Sequence, residues 1–70
     1  MSQLSVLFYG RMKREGITQK ELSSAMSASP NTVRKWLNHP ETMPLVTLLE
    51  LCRCIGVRQY ELFAAIKKES

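Results

Sequence analysis

Two helix-start signals, Thr18 with Glu21 and Ser29 with Pro30, stand so close together that any helix between them has to be short. Thr18 followed three residues on by Glu21 forms a capping box, in which hydroxyl and carboxylate each satisfy a backbone donor that the helix start leaves over. Ser29 is a good N-cap, and Pro30 is tolerated at the first helical position while pushing its predecessor out of the helical region. The chain must therefore break near residues 27–29 and start again at once. A third helix then runs to about Asn38, and His39-Pro40-Glu41-Thr42 reads as a loop because proline cannot continue a helix. Leu22, Met26, Ala28, Val33 and Trp36 are the apolar positions of this stretch. Two such helices share a core only by crossing steeply over a short turn, with a small residue where the backbones approach. Ser23 is that residue.

The rest of the chain divides by the same kind of signal. A first helix from about Gln3 to Glu15 carries an apolar stripe of Leu4, Leu7, Phe8 and Met12, and Gly16 stops it. Gly10 inside it costs about 1 kcal/mol relative to alanine. Pro44 opens a fourth helix whose Leu45, Leu48, Leu49, Cys52 and Ile55 form one core-facing side until Gly56. A fifth, from about Arg58 to Lys67, places Leu62, Phe63 and Ile66 over the others, with Lys67 and Lys68 at the negative end of its dipole. Arg58 is a poor cap, so this helix depends on packing. No stretch alternates apolar with polar residues as a half-buried strand does. The expected fold class is all-α, five helices in a single domain, 1–70.

At 70 residues with 44% hydrophobic content the chain is too apolar for a disordered tail and small enough that its stability margin is thin. No apolar run approaches a bilayer's width, and the N-terminus lacks the pattern of a secretory signal, so a cytoplasmic location is expected. Cys52 and Cys54 point to different sides of a helix and do not close a disulfide with each other. With only His39 to add to them, a metal site is not expected and both cysteines read as small buried residues; no cofactor is implied. His39 has no nucleophile or carboxylate at motif spacing and there is no phosphate-binding glycine loop, which excludes the common enzyme chemistries. The formal net charge is +4. Arg11, Lys13, Arg14 and Lys20 fall in the first half, Arg34 and Lys35 sit together, and Arg53, Arg58, Lys67 and Lys68 follow. Charge alone fits a solvated surface as well as a polyanion site.

The segments Thr18-Gln19-Lys20-Glu21-Leu22-Ser23, Ser29-Pro30-Asn31-Thr32-Val33-Arg34-Lys35-Trp36 and Leu45-Val46-Thr47-Leu48-Leu49-Glu50-Leu51-Cys52, the last running into Gly56-Val57, discriminate further. In them the chain resembles the Cro/CI-type, or XRE-like, helix-turn-helix family of phage and bacterial repressors. The resemblance spans nearly the whole chain and implies a five-helix, lambda-repressor-like domain that lays its third helix in the major groove of double-stranded DNA. Opposite Val33 and Trp36 lie Asn31, Arg34, Lys35 and Asn38. Asn31, Arg34 and Lys35 are the expected base readers, since Asn suits adenine's donor and acceptor while Arg and Lys suit guanine's two acceptors. Thr32 offers either a methyl contact or a local backbone bond. By the same resemblance Gln19 and Asn38 touch phosphates, and Lys20, Lys13 and Arg14 add sequence-independent attraction. Trp36 and Phe8 are read as core, and Tyr60 and Phe63 as candidates for pairing two copies.

Two departures from the family pattern stand out. Ser27 occupies the turn position that usually holds glycine, where a positive φ costs roughly 1 kcal/mol. Many members also join the first and third helices by an Arg-Glu pair, but here the matching positions are Met12 and Leu37, which are expected to touch. The functional expectation is a homodimeric transcriptional regulator, of the phage or mobile-element repressor kind, on an operator with two-fold half-sites about 34 Å apart. It has no small-molecule substrate and is controlled by concentration, dimerisation or a regulatory protein partner. The alternative is a protein-binding module on the same scaffold, an anti-repressor or antitoxin, with Tyr9, Tyr60 and Phe63 as its surface.

Overall fold

A computed structural model describes residues 2–69, with five α-helices and no strand among them. They are α1 (Gln3–Glu15), α2 (Gln19–Met26), α3 (Pro30–Asn38), α4 (Leu45–Ile55) and α5 (Gln59–Glu69). Each of the first three starts on a hydroxyl. Ser2 caps α1 by accepting from the Ser5 N–H, Thr18 caps α2 within a complete capping box, and Ser29 caps α3 by accepting from the Thr32 N–H. Pro44 stands just outside α4 in an extended conformation rather than in its first turn, and no side chain caps that helix. The expected loop after α3 tightens into a single 3-10 turn, Pro40–Thr42, closed by the Met43 N–H on the Pro40 carbonyl.

Three of the helices end in one way. The residues after α1, α2 and α4 are Gly16, Ser27 and Gly56, all left-handed, with φ of 69°, 53° and 80°. The residue after each returns its N–H to a carbonyl in the helix: Ile17 to Met12 (2.9 Å), Ala28 to Ser23 (3.0 Å) and Val57 to Cys52 (2.9 Å). In this Schellman geometry the chain reverses within one residue and the next apolar side chain drops onto the core, as Ile17, Ala28 and Val57 do. Ser27 alone bears the left-handed penalty with a β-carbon. Ser27→Gly is expected to raise stability by up to about 1 kcal/mol, the relieved strain being partly offset by glycine's freedom in the unfolded chain. Thermal unfolding that shows a lower midpoint for the variant would contradict this.

The core draws on every helix: Leu4, Phe8 and Met12 from α1, Leu22 from α2, Val33 and Leu37 from α3, Leu51, Cys52 and Ile55 from α4, and Leu62 and Ala65 from α5. Met12 and Leu37 are both buried in this cluster, so the two positions that the resemblance matches to an ion pair lie in a non-polar environment. A polar link takes over nearby. The fully buried Ser5 hydroxyl donates to the Leu37 carbonyl at 2.6 Å, tying α1 to the last turn of α3.

Burial differs from expectation on three helices. On α4 the inward line is Leu48, Leu51, Cys52 and Ile55, whereas Leu45 and Leu49 are exposed, because the helix turns its Leu51 side toward α1 and α2. Cys54 is exposed, and only Cys52 is buried; burial pushes its thiol up to about 11. On α5, Phe63 and Ile66 face outward and Leu62 and Ala65 face inward. Polar bonds to α1 hold the helix in this roll at both ends. The Arg11 guanidinium pairs with Glu61 and donates to the Gly56 carbonyl, while the Glu69 carboxylate accepts from the Leu4 N–H at 3.1 Å. With Glu61 and Glu69 turned to α1, their helical neighbours Leu62 and Ala65 must turn inward too. Arg11 is thus an internal fastener, not a free surface cation. On α3, Trp36 is only half-buried, and Leu37 fills the fully enclosed position.

Candidate nucleic-acid interface

The outer side of α3 follows from its sequence by helical geometry. At about 100° per residue, Asn31, Arg34, Lys35 and Asn38 fall within one sector of little more than a quarter-turn, Val33 and Trp36 lie opposite it, and Leu37 lies on the flank beside Arg34. The observed burial agrees for the row, whose four members are exposed, and for the fully buried Val33, but Leu37 rather than Trp36 is the second fully enclosed side chain. Thr32 and Trp36 are half-buried. A helix fixed from below in this way presents its polar row with little freedom to roll.

The charge on that row is uncompensated by its own helix. Between Leu22 and Pro40 the chain contains no carboxylate, while Arg34 and Lys35 sit side by side. The nearest acidic residue before it, Glu21, is engaged in the cap of α2. The Thr18 N–H and hydroxyl both donate to its Oε1 at 3.0 Å, and these bonds hold the Glu21 carboxyl below its usual range. That contribution to the cap is present above the ordinary carboxylate range and fades as pH falls through it. After the row, Glu41 lies 3.5 Å from His39 on the exposed 3-10 turn.

Two members of the set have their hydroxyl or amide already engaged. Thr32 Oγ1 lies 2.8 Å from Ser29 Oγ, which also accepts from the Thr32 N–H at 3.2 Å. The threonine hydroxyl therefore serves the cap, through a side chain and not the backbone bond expected as one option. Asn38 Oδ1 accepts from the Tyr9 hydroxyl of α1 at 2.7 Å. Neither Tyr9 nor Ser5 is legible as a partner of α3, since both bonds join residues about thirty positions apart and no motif marks them.

The remaining candidates lie off this row. Gln19 is half-buried at the first position of α2, and Lys20 beside it is exposed. Lys13 and Arg14 are exposed in the last turn of α1, with Arg14 3.5 Å from Glu15 in a surface pair of small energetic weight. Tyr60 and Phe63 project from α5, 68% and 60% exposed. Leu45 and Val46 at the start of α4 are exposed to the same degree, 69% and 68%.

Among the described residues no group of three or more His, Cys, Asp or Glu is placed to hold a metal, and no helix is long and apolar enough to cross a membrane. No curated protein and no solved structure matches the chain. The model of one family does, over residues 10–68, from within α1 to the last turn of α5, and that family is described as the Cro/C1-type HTH DNA-binding domain. The short α2, the abrupt turn at Ser27, the polar row of α3, the whole of α4 and nearly all of α5 are contained in the matched span. The chain belongs to the family of Cro/C1-type HTH DNA-binding domains.

Proposed function

We propose that residues 1–70 act as one sequence-specific regulator of transcription, a repressor of the phage or mobile-element kind working in the cytoplasm, which reads the major groove with α3. The observation that carries this reading is the exposed row Asn31, Arg34, Lys35 and Asn38, free of carboxylates and backed by the buried Val33 and Leu37. Arg34 and Lys35 meet guanine N7 and O6, and Asn31 meets adenine N6 and N7. With its hydroxyl turned to Ser29, Thr32 contributes its methyl group to a thymine methyl. Gln19 and Asn38 bond to phosphates and set the register, with Lys20, Lys13 and Arg14 adding salt-sensitive attraction.

The protein works as a homodimer joined through the exposed side of α5 that carries Tyr60 and Phe63. Two-fold symmetry then sets half-sites one helical turn apart, about 34 Å. The same apolar side favours a second reading, a surface for a regulatory protein. Selection from random duplexes at moderate salt tests the whole proposal. A palindromic consensus is the expected result, and recovery of unselected sequence, or of none, counts against it. Gln19→Ala is expected to weaken binding to every sequence alike; an altered consensus for the variant would move Gln19 from phosphate to base.

A further inference from the structure

We propose that Tyr9 is a positioning residue for the phosphate contact of Asn38, acting from α1 without touching DNA. A carboxamide has one acceptor end and one donor end, and its terminal torsion is broad, so an unrestrained Asn presents either end to a partner. A phosphate oxygen accepts only. The Tyr9 hydroxyl, 2.7 Å from Asn38 Oδ1, takes up the acceptor end and thereby leaves Nδ2, with both of its hydrogens, as the end available to an anion. The backbone beneath is held from the same helix. Ser5, one turn before Tyr9 on α1, donates to the Leu37 carbonyl at 2.6 Å, and the Asn38 carbonyl lies 3.4 Å from the same hydroxyl. The end of α3 and the side chain that leaves it are thus both registered against α1, which places the last residue of the recognition row by two hydrogen bonds rather than by packing alone.

This inference rests on the assignment of Asn38 to phosphate made above, and the test separates the two. Tyr9→Phe, Asn38→Ala and the double variant are compared with the unaltered protein on the selected duplex, together with thermal unfolding of each. Tyr9→Phe removes one neutral hydrogen bond while keeping the ring, and is expected to weaken binding about three- to tenfold. Its consensus and the slope of affinity against salt are expected to stay unchanged, because no cation is removed. In the Asn38→Ala background Tyr9→Phe is expected to cause no further loss, which a purely structural role for the phenol would not produce. Equal losses in both backgrounds, or full affinity of either single variant, would overturn the proposal while leaving DNA recognition by α3 intact. Absence of any duplex binding by the unaltered protein would instead remove the functional reading itself, and the proposal with it.

Discussion

Phe8→Ala is expected to destabilise the fold by about 3–5 kcal/mol, the loss typical of deleting a wholly enclosed aromatic side chain. Phe8 is 0% exposed and belongs to a cluster that includes Met12 beside it, Val33 and Leu37 of α3, and Leu62 of α5. At roughly 0.1 kcal/mol per residue the chain has a margin of about 7 kcal/mol, so the variant forfeits about half of it or more. Chemical denaturation reads the difference directly. A loss under about 1 kcal/mol would mean that α1 does not anchor α3 in the way its burial implies. DNA affinity of the variant is expected to fall with the folded fraction, since Phe8 contributes nothing to the outer row.

Arg34→Ala has the largest expected effect on recognition. A guanidinium that bonds N7 and O6 of one guanine together contributes about 1–3 kcal/mol of discrimination, or roughly five- to 150-fold in affinity. The loss is expected to fall on the cognate duplex, with preference relaxed at one base pair in each half-site and stability little changed, because the side chain is exposed. A loss of the same size on every duplex, with a shallower salt dependence, would instead assign Arg34 to the phosphates. Lys35 is the natural control beside it. Its ammonium is a compact point charge without a fixed fork, so Lys35→Ala is expected to give a smaller change in base preference.

Much of this architecture is legible in local chemistry, because its boundaries are set by single residues whose conformational demands are narrow. Thr18 with Glu21, Ser29 with Pro30, and the stops at Gly16 and Gly56 fix the limits of four helices within a residue or two. The outer side of α3 follows from the angular spacing of Asn31, Arg34, Lys35 and Asn38 opposite Val33, whereas the enclosed partner of Val33 is Leu37 and not Trp36. Where the reading from sequence departs from the structure, the cause is long-range. Leu45, Leu49, Phe63 and Ile66 have the composition of core residues but lie outside it. The roll of α5 is decided by Arg11 and by the Leu4 N–H, partners far away in the chain, and the roll of α4 by its packing on α1 and α2. Hydrophobicity alone cannot distinguish a helix side that meets the core from one that awaits another surface. The hydroxyls of Ser5 and Tyr9 are likewise mute in sequence, since polar residues of α1 acquire their role only when α3 arrives beside them.

Entry of α3 into the major groove is tested most directly by methylation interference on the selected duplex. Methylation of guanine N7 blocks the acceptor that Arg34 or Lys35 is assigned to, and it marks the major groove alone. The expected result is loss of binding when a single guanine in either half-site is methylated, at positions related by two-fold symmetry. Binding that tolerates N7 methylation at every guanine, yet fails when minor-groove atoms are altered, would contradict recognition by α3.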